Sequence, residues 1–470
     1  MLAHRAVRAC ARVVSVTILV DACIWPWRGR RWCHLVSDES LDELHDFAAR
    51  LGMPRRIFQG DHYDLHEDLR AMALAGGAVA VTSRELLARL RVAGLRLSPG
   101  ERRSWVDDDR TATFGLDRTT RQVYEERVDD YIRLRPPVRL EEARAFAQRC
   151  LPGRVVADLG CGPGGYLPML PEHTVGVDVA GPMLARATIA APSATLLQAD
   201  LESLPFAPKS LGGAWSRNGH VHIPSGRFPW ALAQLQRAMA VDAPLFLSLV
   251  GGDRDGCHAD DDLANRFFAR WSADRVHDVL IGAGFAVEDI TDESSSNVIV
   301  RATRARTLAD SVGPAMRMLI CGLNPSVVAA DAGLGFAGAT NRFWPAAVTA
   351  GLVEAPRDLR HALLDRGLGM TDLVKRATPK SAEVTRAEYA EGLERVARLV
   401  DWLRPGVVCM VGLEGWRAAT DRRATAGWQE RRLGTRPVYV MPSTSGLNAG
   451  TSMNALVDHL RAALAGPFVR

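Results

Sequence analysis

The segment RVVADLGCGPGG, Arg154–Gly165, most narrows what this chain can fold into. An apolar run ends in Asp158 and passes at once into glycines spaced Gly160-x-Gly162-x-Gly164. Glycine there lets the backbone turn sharply into a helix and approach a ligand closely. Two further apolar runs end the same way. TVGVDVA reaches Asp178, and ATLLQADLESLPF reaches Asp200 followed by Leu201. Asp178 lies at the distance where an acid meets ribose hydroxyls in dinucleotide folds. The glycines, however, fall as G-x-G-x-G and not as the G-x-G-x-x-G of an NAD fold.

This full pattern resembles the class I S-adenosylmethionine-dependent methyltransferases, from about Tyr124 to Arg301. The resemblance implies a Rossmann-like fold that binds S-adenosyl-L-methionine. Asp158, Gly160, Gly162 and Gly164 would surround the methionine part. Asp178 would accept from the ribose hydroxyls. Asp200 would bond the adenine amine, with Leu201 beside the ring. The methyl acceptor is not readable. The chain has no N/D-P-P-Y/F tetrapeptide and no Pro-Cys dipeptide, which argues against exocyclic-amine and cytosine-C5 DNA methylation. His220 and His222, in AWSRNGHVHIP, stand where a base could meet the acceptor. A structural role for both is the preferred reading.

Three segments near the C-terminus carry a second chemistry. MRMLICGLNPS is an apolar strand running into a turn with Leu323, Asn324 and Pro325. GFAGATNRFW places Phe336, Asn341 and Arg342 shortly after it. MPSTSGLNAG, after the apolar run PVYVM, sets Ser443, Ser445, Gly446 and Leu447 in a loop of small residues. An amide at a strand end, a ring to stack on a base and an apolar wedge on a flexible loop are the parts needed to flip a nucleotide and cut its glycosidic bond. With GMTDLVKRAT at Gly369–Thr378, these segments resemble the mismatch-specific uracil/thymine-DNA glycosylases of the uracil-DNA glycosylase superfamily, across the C-terminal third. The resemblance implies an α/β/α sandwich acting on double-stranded DNA with uracil or mismatches. Asn324 would orient the attacking water. Leu323, Phe336 and Asn341 would contact the base, with Asn341 and Arg342 shaping the pocket wall. Ser443, Ser445, Gly446 and Leu447 would contact DNA, with Leu447 as the wedge. The glycosylase chemistry requires no cofactor.

Charge supports a nucleic-acid partner for this part. Arg317 to the end holds 20 basic and 14 acidic residues, whereas the whole chain is only +4. The eight cysteines form no C-x-x-C pair, so they read as reduced thiols of a cytoplasmic protein and not as a zinc or iron–sulfur site. The early run VVSVTILV is broken by Asp21 and reads as a buried first strand, not a targeting signal. No stretch is long and apolar enough to span a membrane.

The N-terminal residues alternate strand-like and helix-like patterns. SLDELHDFAARLG is an amphipathic helix with Ser40 as N-cap, Glu43 at the capping-box position and Gly52 as its stop. WPWRGRRWCHLVSD and FQGDHYDL resemble a small family of unknown function, which brings no activity. Asp21, His34, Asp38, Asp61 and His62 read either as a metal or phosphodiester site or as polar loop residues, the second being preferred, so no metal is expected. Trp25, Trp27 and Trp32 among Arg28, Arg30 and Arg31 suit either nucleic-acid stacking or packing on their own sheet.

At 470 residues the chain is too long for one domain. Ser98–Gly115 and Ala302–Ala315 read as exposed linkers. The expectation is an α/β protein of three domains: residues 1–97 a small α/β module, 118–303 a methyltransferase, and 316–470 a glycosylase. The leading expected function is uracil or thymine excision from mismatched DNA, fused to methyl transfer. The alternative makes methyl transfer the main activity and the glycosylase fold a DNA-targeting module.

Overall fold

The computed structural model describes residues 18–27, 30–53, 57–59, 61–93, 95, 117–135, 138–257, 261–293 and 297–466. The first expected linker and Arg28 therefore lie outside the described residues. The chain divides into two compact units, Met1–Thr113 and Phe114–Arg470. Among the described residues, no helix is long and apolar enough to cross a membrane.

The first unit is built on one sheet. Its strands are β1 (Ile18–Val20), β2 (Trp25–Trp27), β3 (Arg30–Ser37), β4 (Tyr63–His66) and β5 (Val79–Ala80). β3 pairs antiparallel with β1, β2 and β4, and β5 runs parallel to β1. Alternation sets the two faces. Cys33, Leu35, Tyr63 and Leu65 are buried against helix Leu41–Arg50, while Trp32, His34, Asp64 and His66 line the other face. Ser40 caps that helix through the Glu43 amide. The capping box is not closed, because the Glu43 carboxylate accepts from Ser37 Oγ at 2.5 Å.

The second unit holds two sheets. The first contains β6 (Val155–Leu159), β7 (Thr174–Asp178), β8 (Thr195–Gln198), β9 (Leu211–Arg217) and β10 (Pro244–Gly251). A small ribbon of β11 (Gly256–Cys257) and β12 (Phe267–Phe268) follows, then β13 (Arg270–Trp271), β14 (Phe285–Glu293) and β15 (Asn297–Arg304). The order across the sheet is β14-β15-β10-β9-β6-β7-β8, with β13 beside β10. β6 to β10 are mutually parallel, and β15 and β14 are antiparallel. The chain leaves β8 at one edge and returns as β9 on the other side of β6. That makes the carboxyl end of β6 the switch point where such sheets bind ligands.

The second sheet has β16 (Met318–Gly322), β17 (Leu368–Asp372), β18 (Val408–Val411), β19 (Gly427–Trp428) and β20 (Val438–Met441), in the order β17-β16-β18-β20-β19. All pairs but β19–β20 are parallel. Its switch point is the end of β16, with β17 on one side and β18 on the other.

Residues 302–315 are not an exposed linker. Ala302–Arg304 complete β15, and Leu308, Asp310, Ser311 and Val312 are buried. Ser311 and Met370 exchange both backbone bonds at 2.8 Å, and the Asp310 amide donates to the Gly282 carbonyl at 2.8 Å. The segment is thus stitched to the sheets on both sides. Trp271 also meets Trp402 edge-on at 6.0 Å, and Arg398 binds Asp278 through two hydrogen bonds. Polar composition suggested a loop; long-range partners bury it instead.

Candidate functional sites

The turn after β6 requires glycine. Gly160 has φ +74°, and a Cβ there would lie 2.4 Å from the Gly219 Cα. A solvent-open cleft lies at this switch point, a usual place for small ligands in such sheets. Gly160, Gly162, Asp178, Asp200 and Leu201 line it, as expected, with Tyr124, Tyr131, Arg217 and His222 opposite. Asp158 and Gly164 do not line it. Asp158 is buried behind the wall with one carboxyl oxygen lacking a hydrogen bond, and Gly164 packs where a Cβ would come 2.9 Å from the Ala187 Cα. Asp178 accepts the amides of Gly162 and Ala180, both at 2.9 Å. Burial pushes both acids up. The Asp158 carboxyl reaches about 8, with the Asp178 charge adding to burial, and Asp178 rises although backbone amides oppose it.

Both histidines are held by hydrogen bonds. His222 gives its Nδ1 proton to the Phe267 carbonyl, so its Nε2 is the acceptor for the Tyr124 hydroxyl at 2.6 Å. His220 bonds Ser216 Oγ and is fully buried. Burial pulls both imidazoles down to about 4, which keeps them neutral at neutral pH. Tyr124 and Tyr131 were missed as cleft residues. Their only signal is a Tyr pair on the amphipathic helices that precede β6.

At the second switch point Asn324 leaves β16 with its amide pinned. Nδ2 donates to the carbonyls of Arg376 (3.0 Å) and Pro325 (3.2 Å) and to Thr378 Oγ1 (2.7 Å). Only the NH2 end can serve two carbonyls, so Oδ1 is the end left as acceptor. The neighbouring strand end presents Asp372. A Cβ on Gly322 would fall 2.4 Å from Asp372 Oδ1, so the carboxyl lies directly against the end of β16. Burial, with Asp310 adding and Lys375 and Arg395 opposing, pushes Asp372 up to about 6. Sequence reasoning missed Asp372, although an acid at a strand end was the signal used in the other domain.

Asp310 behaves oppositely. It binds Lys375 Nζ at 2.7 Å, Arg395 at 2.8 Å and Thr371 Oγ1 at 2.7 Å. Burial alone would raise its carboxyl, but the two cations outweigh it and hold it below the usual carboxylate range.

Phe336 adopts φ +57° and stacks on Phe343 at 4.2 Å, so one ring face is covered. Phe336 lines a small depression with Gly335, Asp372, Met370 and Leu308. Leu323 packs against Gly412 and Gly415. Asn341 does not line this depression; its Oδ1 accepts the Phe343 amide at 2.9 Å. Arg342 shapes no pocket wall there either. It clamps the 443–451 loop through the carbonyls of Thr451 (2.5 Å), Asn448 (2.6 Å) and Ser445 (3.5 Å).

That loop was expected to be flexible, yet it is braced. Ser443 Oγ accepts the Ser445 amide, Ser445 Oγ accepts the Leu447 amide, and Asn448 Nδ2 donates to the Ser443 carbonyl. Gly446 lies so close to Thr340 that a Cβ would clash at 2.5 Å. From this frame Leu447 projects with 96% of its surface exposed.

The C-terminal segment matches the uracil DNA glycosylase superfamily. The matched residues are 310–465. A methyltransferase domain model matches residues 156–242, and a domain of unknown function (DUF4031) matches 18–93. Among solved structures, a methyltransferase from Methanosarcina mazei is 13% identical over 34% of this chain and 97% of its own, with TM-score 0.31. A possible histamine N-methyltransferase from Thermotoga maritima is 16% identical over 39% and 99%, with TM-score 0.32. The magnesium protoporphyrin IX methyltransferase of Synechocystis, solved with bound S-adenosylmethionine, is 18% identical over 40% and 98%, with TM-score 0.32. The chain therefore carries a methyltransferase domain and a uracil DNA glycosylase superfamily domain, both of α/β architecture.

Proposed function

We propose that the C-terminal domain hydrolyses the N-glycosidic bond of uracil, and of thymine or related lesions, in mismatched double-stranded DNA. Two observations carry this: the pinned Asn324 amide in the turn after β16, and the Asp372 carboxyl lying against the end of that same strand. Cleavage passes through an oxocarbenium-like sugar, so the site must place a water, stabilise positive charge and tolerate a departing pyrimidine anion. Asn324 Oδ1 accepts a hydrogen bond from the water. An amide is a poor base, and Asp372 supplies what it lacks. Above pH 6 its carboxylate stabilises the sugar cation and takes the proton as the C–O bond forms and the C–N bond breaks. Backbone N–H groups of the Leu323–Asn324 turn and near Phe336 receive the charge on the base. The free face of Phe336 stacks on it. Leu447 fills the vacated place in the duplex, and the Ser443 and Ser445 hydroxyls donate to flanking phosphates.

The middle domain, in this reading, binds S-adenosyl-L-methionine and transfers its methyl group to an acceptor. The residues fit the cofactor: Asp178 keeps lone pairs for two ribose hydroxyls, and Leu201 offers an apolar wall for a purine. S-adenosylmethionine supplies an electrophilic methyl group when bound. The protein orients it through the Gly160–Gly162 backbone. The closed Tyr124–His222–Phe267 chain leaves no ring nitrogen of His222 free to act as base.

The test is uracil release from duplexes holding G·U, G·T and A·U pairs, with and without S-adenosylmethionine. Release of uracil from G·U is expected. Its rate should rise with pH along an acid limb with an apparent pKa near 6, because a buried acid raised to about 6 is deprotonated only above that value. Asp372→Asn should be slow and should lose the limb. No release from any of the three duplexes would leave methyl transfer as the main activity, with the glycosylase fold as a targeting module.

A further inference from the structure

We propose that the N-terminal unit holds a divalent transition-metal ion of the zinc class on His34, His62 and Asp64, with a coordination position open to solvent. Strand alternation brings the three together. Asp64 on β4 stands directly opposite His34 on β3, and His62, two residues earlier, projects to the same face. One candidate ligand atom from each lies within 4.8 Å of the other two. His62 Nε2 is 3.4 Å from Asp64 Oδ1. Metal bonds of about 2.0–2.2 Å in a tetrahedral site place ligand atoms roughly 3.3–3.5 Å apart.

The groups behind the ligands carry the argument further. Both imidazoles commit Nδ1 to a buried carboxylate. His34 meets Asp21 at 3.0 Å, and His62 meets Asp61 at 2.6 Å. Asp21 is held in turn by the His34 amide at 2.6 Å and Ser83 Oγ at 2.7 Å. A carboxylate on Nδ1 places the proton there, leaves Nε2 as a lone-pair donor and makes it more basic, which is how proteins prepare histidine for a metal. Two such imidazoles meet edge-on at 5.1 Å between ring centroids, with the Asp64 carboxylate beside His62. Two nitrogens and one oxygen suit zinc, cobalt or nickel rather than magnesium or calcium, which take oxygen ligands. Asp38 takes no part, because it pairs with Arg89 at 2.6 Å. His34 and Asp64 are partly exposed while Asp21 and Asp61 are fully buried. The ion would therefore be anchored from within and open on the outside, with a fourth position for water or an oxyanion.

The experiment uses the full chain, stripped with a chelator and dialysed. Calorimetric titration with Zn(II) should give one equivalent bound, and Co(II) should give visible bands of a four-coordinate nitrogen/oxygen site. His62→Gln and Asp64→Ala should each weaken Zn(II) binding at least about tenfold. Asp21→Asn, which touches no metal, should weaken it by about 10–100-fold. His66→Ala, on the same face but outside the cluster, should bind as the parent does. Asp64 is half-exposed, so its variant keeps the test readable if a histidine variant misfolds. No stoichiometric Zn(II) binding by the parent would overturn the proposal. So would unchanged affinity in Asp64→Ala and His62→Gln, which would place the bound ion elsewhere.

Discussion

The two sheets of the second unit place their sites alike and finish them differently. Each uses the loop leaving the strand at its switch point, β6 in one and β16 in the other. In the methyltransferase domain Asp158 and Asp178 pair with no cation among the described residues. Asp178 is answered by backbone amides, Asp158 keeps an unbonded oxygen, and burial raises both. In the glycosylase domain Asp310 is saturated by Lys375, Arg395 and Thr371, and only Asp372 beside it is left raised. The first arrangement leaves Asp178 with lone pairs facing a cleft. The second is braced internally and leaves one carboxyl without a cation partner of its own. A buried acid is thus read by what answers it, not by its burial.

The largest expected effect tests the bracing. A chain beginning at Ala315 loses Asp310 and the Ser311–Met370 pairing, and leaves Arg395 buried without its carboxylate. Removing one partner of a buried pair costs about 3–5 kcal/mol, a large share of a domain's stability. The truncated chain should be insoluble or unfold at a clearly lower Tm than a chain beginning at Phe114. Asp310→Asn in the full chain should move in the same direction by less. Equal Tm and equal activity for the two truncations would show residues 305–312 to be a passive connection.

Next in size is Asn324→Ala. In the proposed mechanism it removes a group used at the transition state and not in docking, so turnover should fall by a factor on the order of 10² or more while duplex binding stays nearly intact. Single-turnover excision at the parent rate would remove Asn324 from the mechanism and leave Asp372 alone.

What the sequence made legible follows the range of the interactions. The glycine turn, the acids at strand ends and the Gly322–Ser326 turn are local signals, and the structure places them at the two switch points. The buried bridge was not legible, because Asp310 meets Arg395 across 85 residues and nothing near Asp310 announces it. Asp372 was hidden for the same reason. With Lys375 three residues on it reads as one half of a local ion pair, but Lys375 binds Asp310 instead. Arg342 looked like pocket wall from its neighbours Asn341 and Phe343, whereas its partners lie more than 100 residues away in the wedge loop.

A smaller effect probes the unsaturated side of the comparison. Charge-assisted hydrogen bonds from ribose hydroxyls to Asp178 are worth roughly 1.5–3 kcal/mol each. Asp178→Ala should therefore weaken S-adenosylmethionine binding at least about tenfold in calorimetry. The substitution also frees the Gly162 and Ala180 amides, so the loss combines contact and turn geometry. Unchanged affinity would mean that the cleft takes another ligand.

The smallest effect is a difference between substrates, and it rests on Leu447. The side chain is almost fully exposed, while its loop is held by Arg342, Ser443, Ser445 and Asn448. A wedge of this kind acts by replacing the stacking lost when a base leaves the duplex. That loss is a few kcal/mol in a paired helix and less at a mismatch. Leu447→Ala should therefore slow excision from A·U more than from G·U, and barely change it on single strands. The braced frame adds a second expectation. Arg342→Ala releases three loop carbonyls without touching the leucine, so it should reproduce the same substrate ranking in weaker form. Equal losses on all three substrates in Leu447→Ala would make the residue a support of the fold. An Arg342→Ala enzyme with no ranking would show that the loop needs no brace to place its wedge.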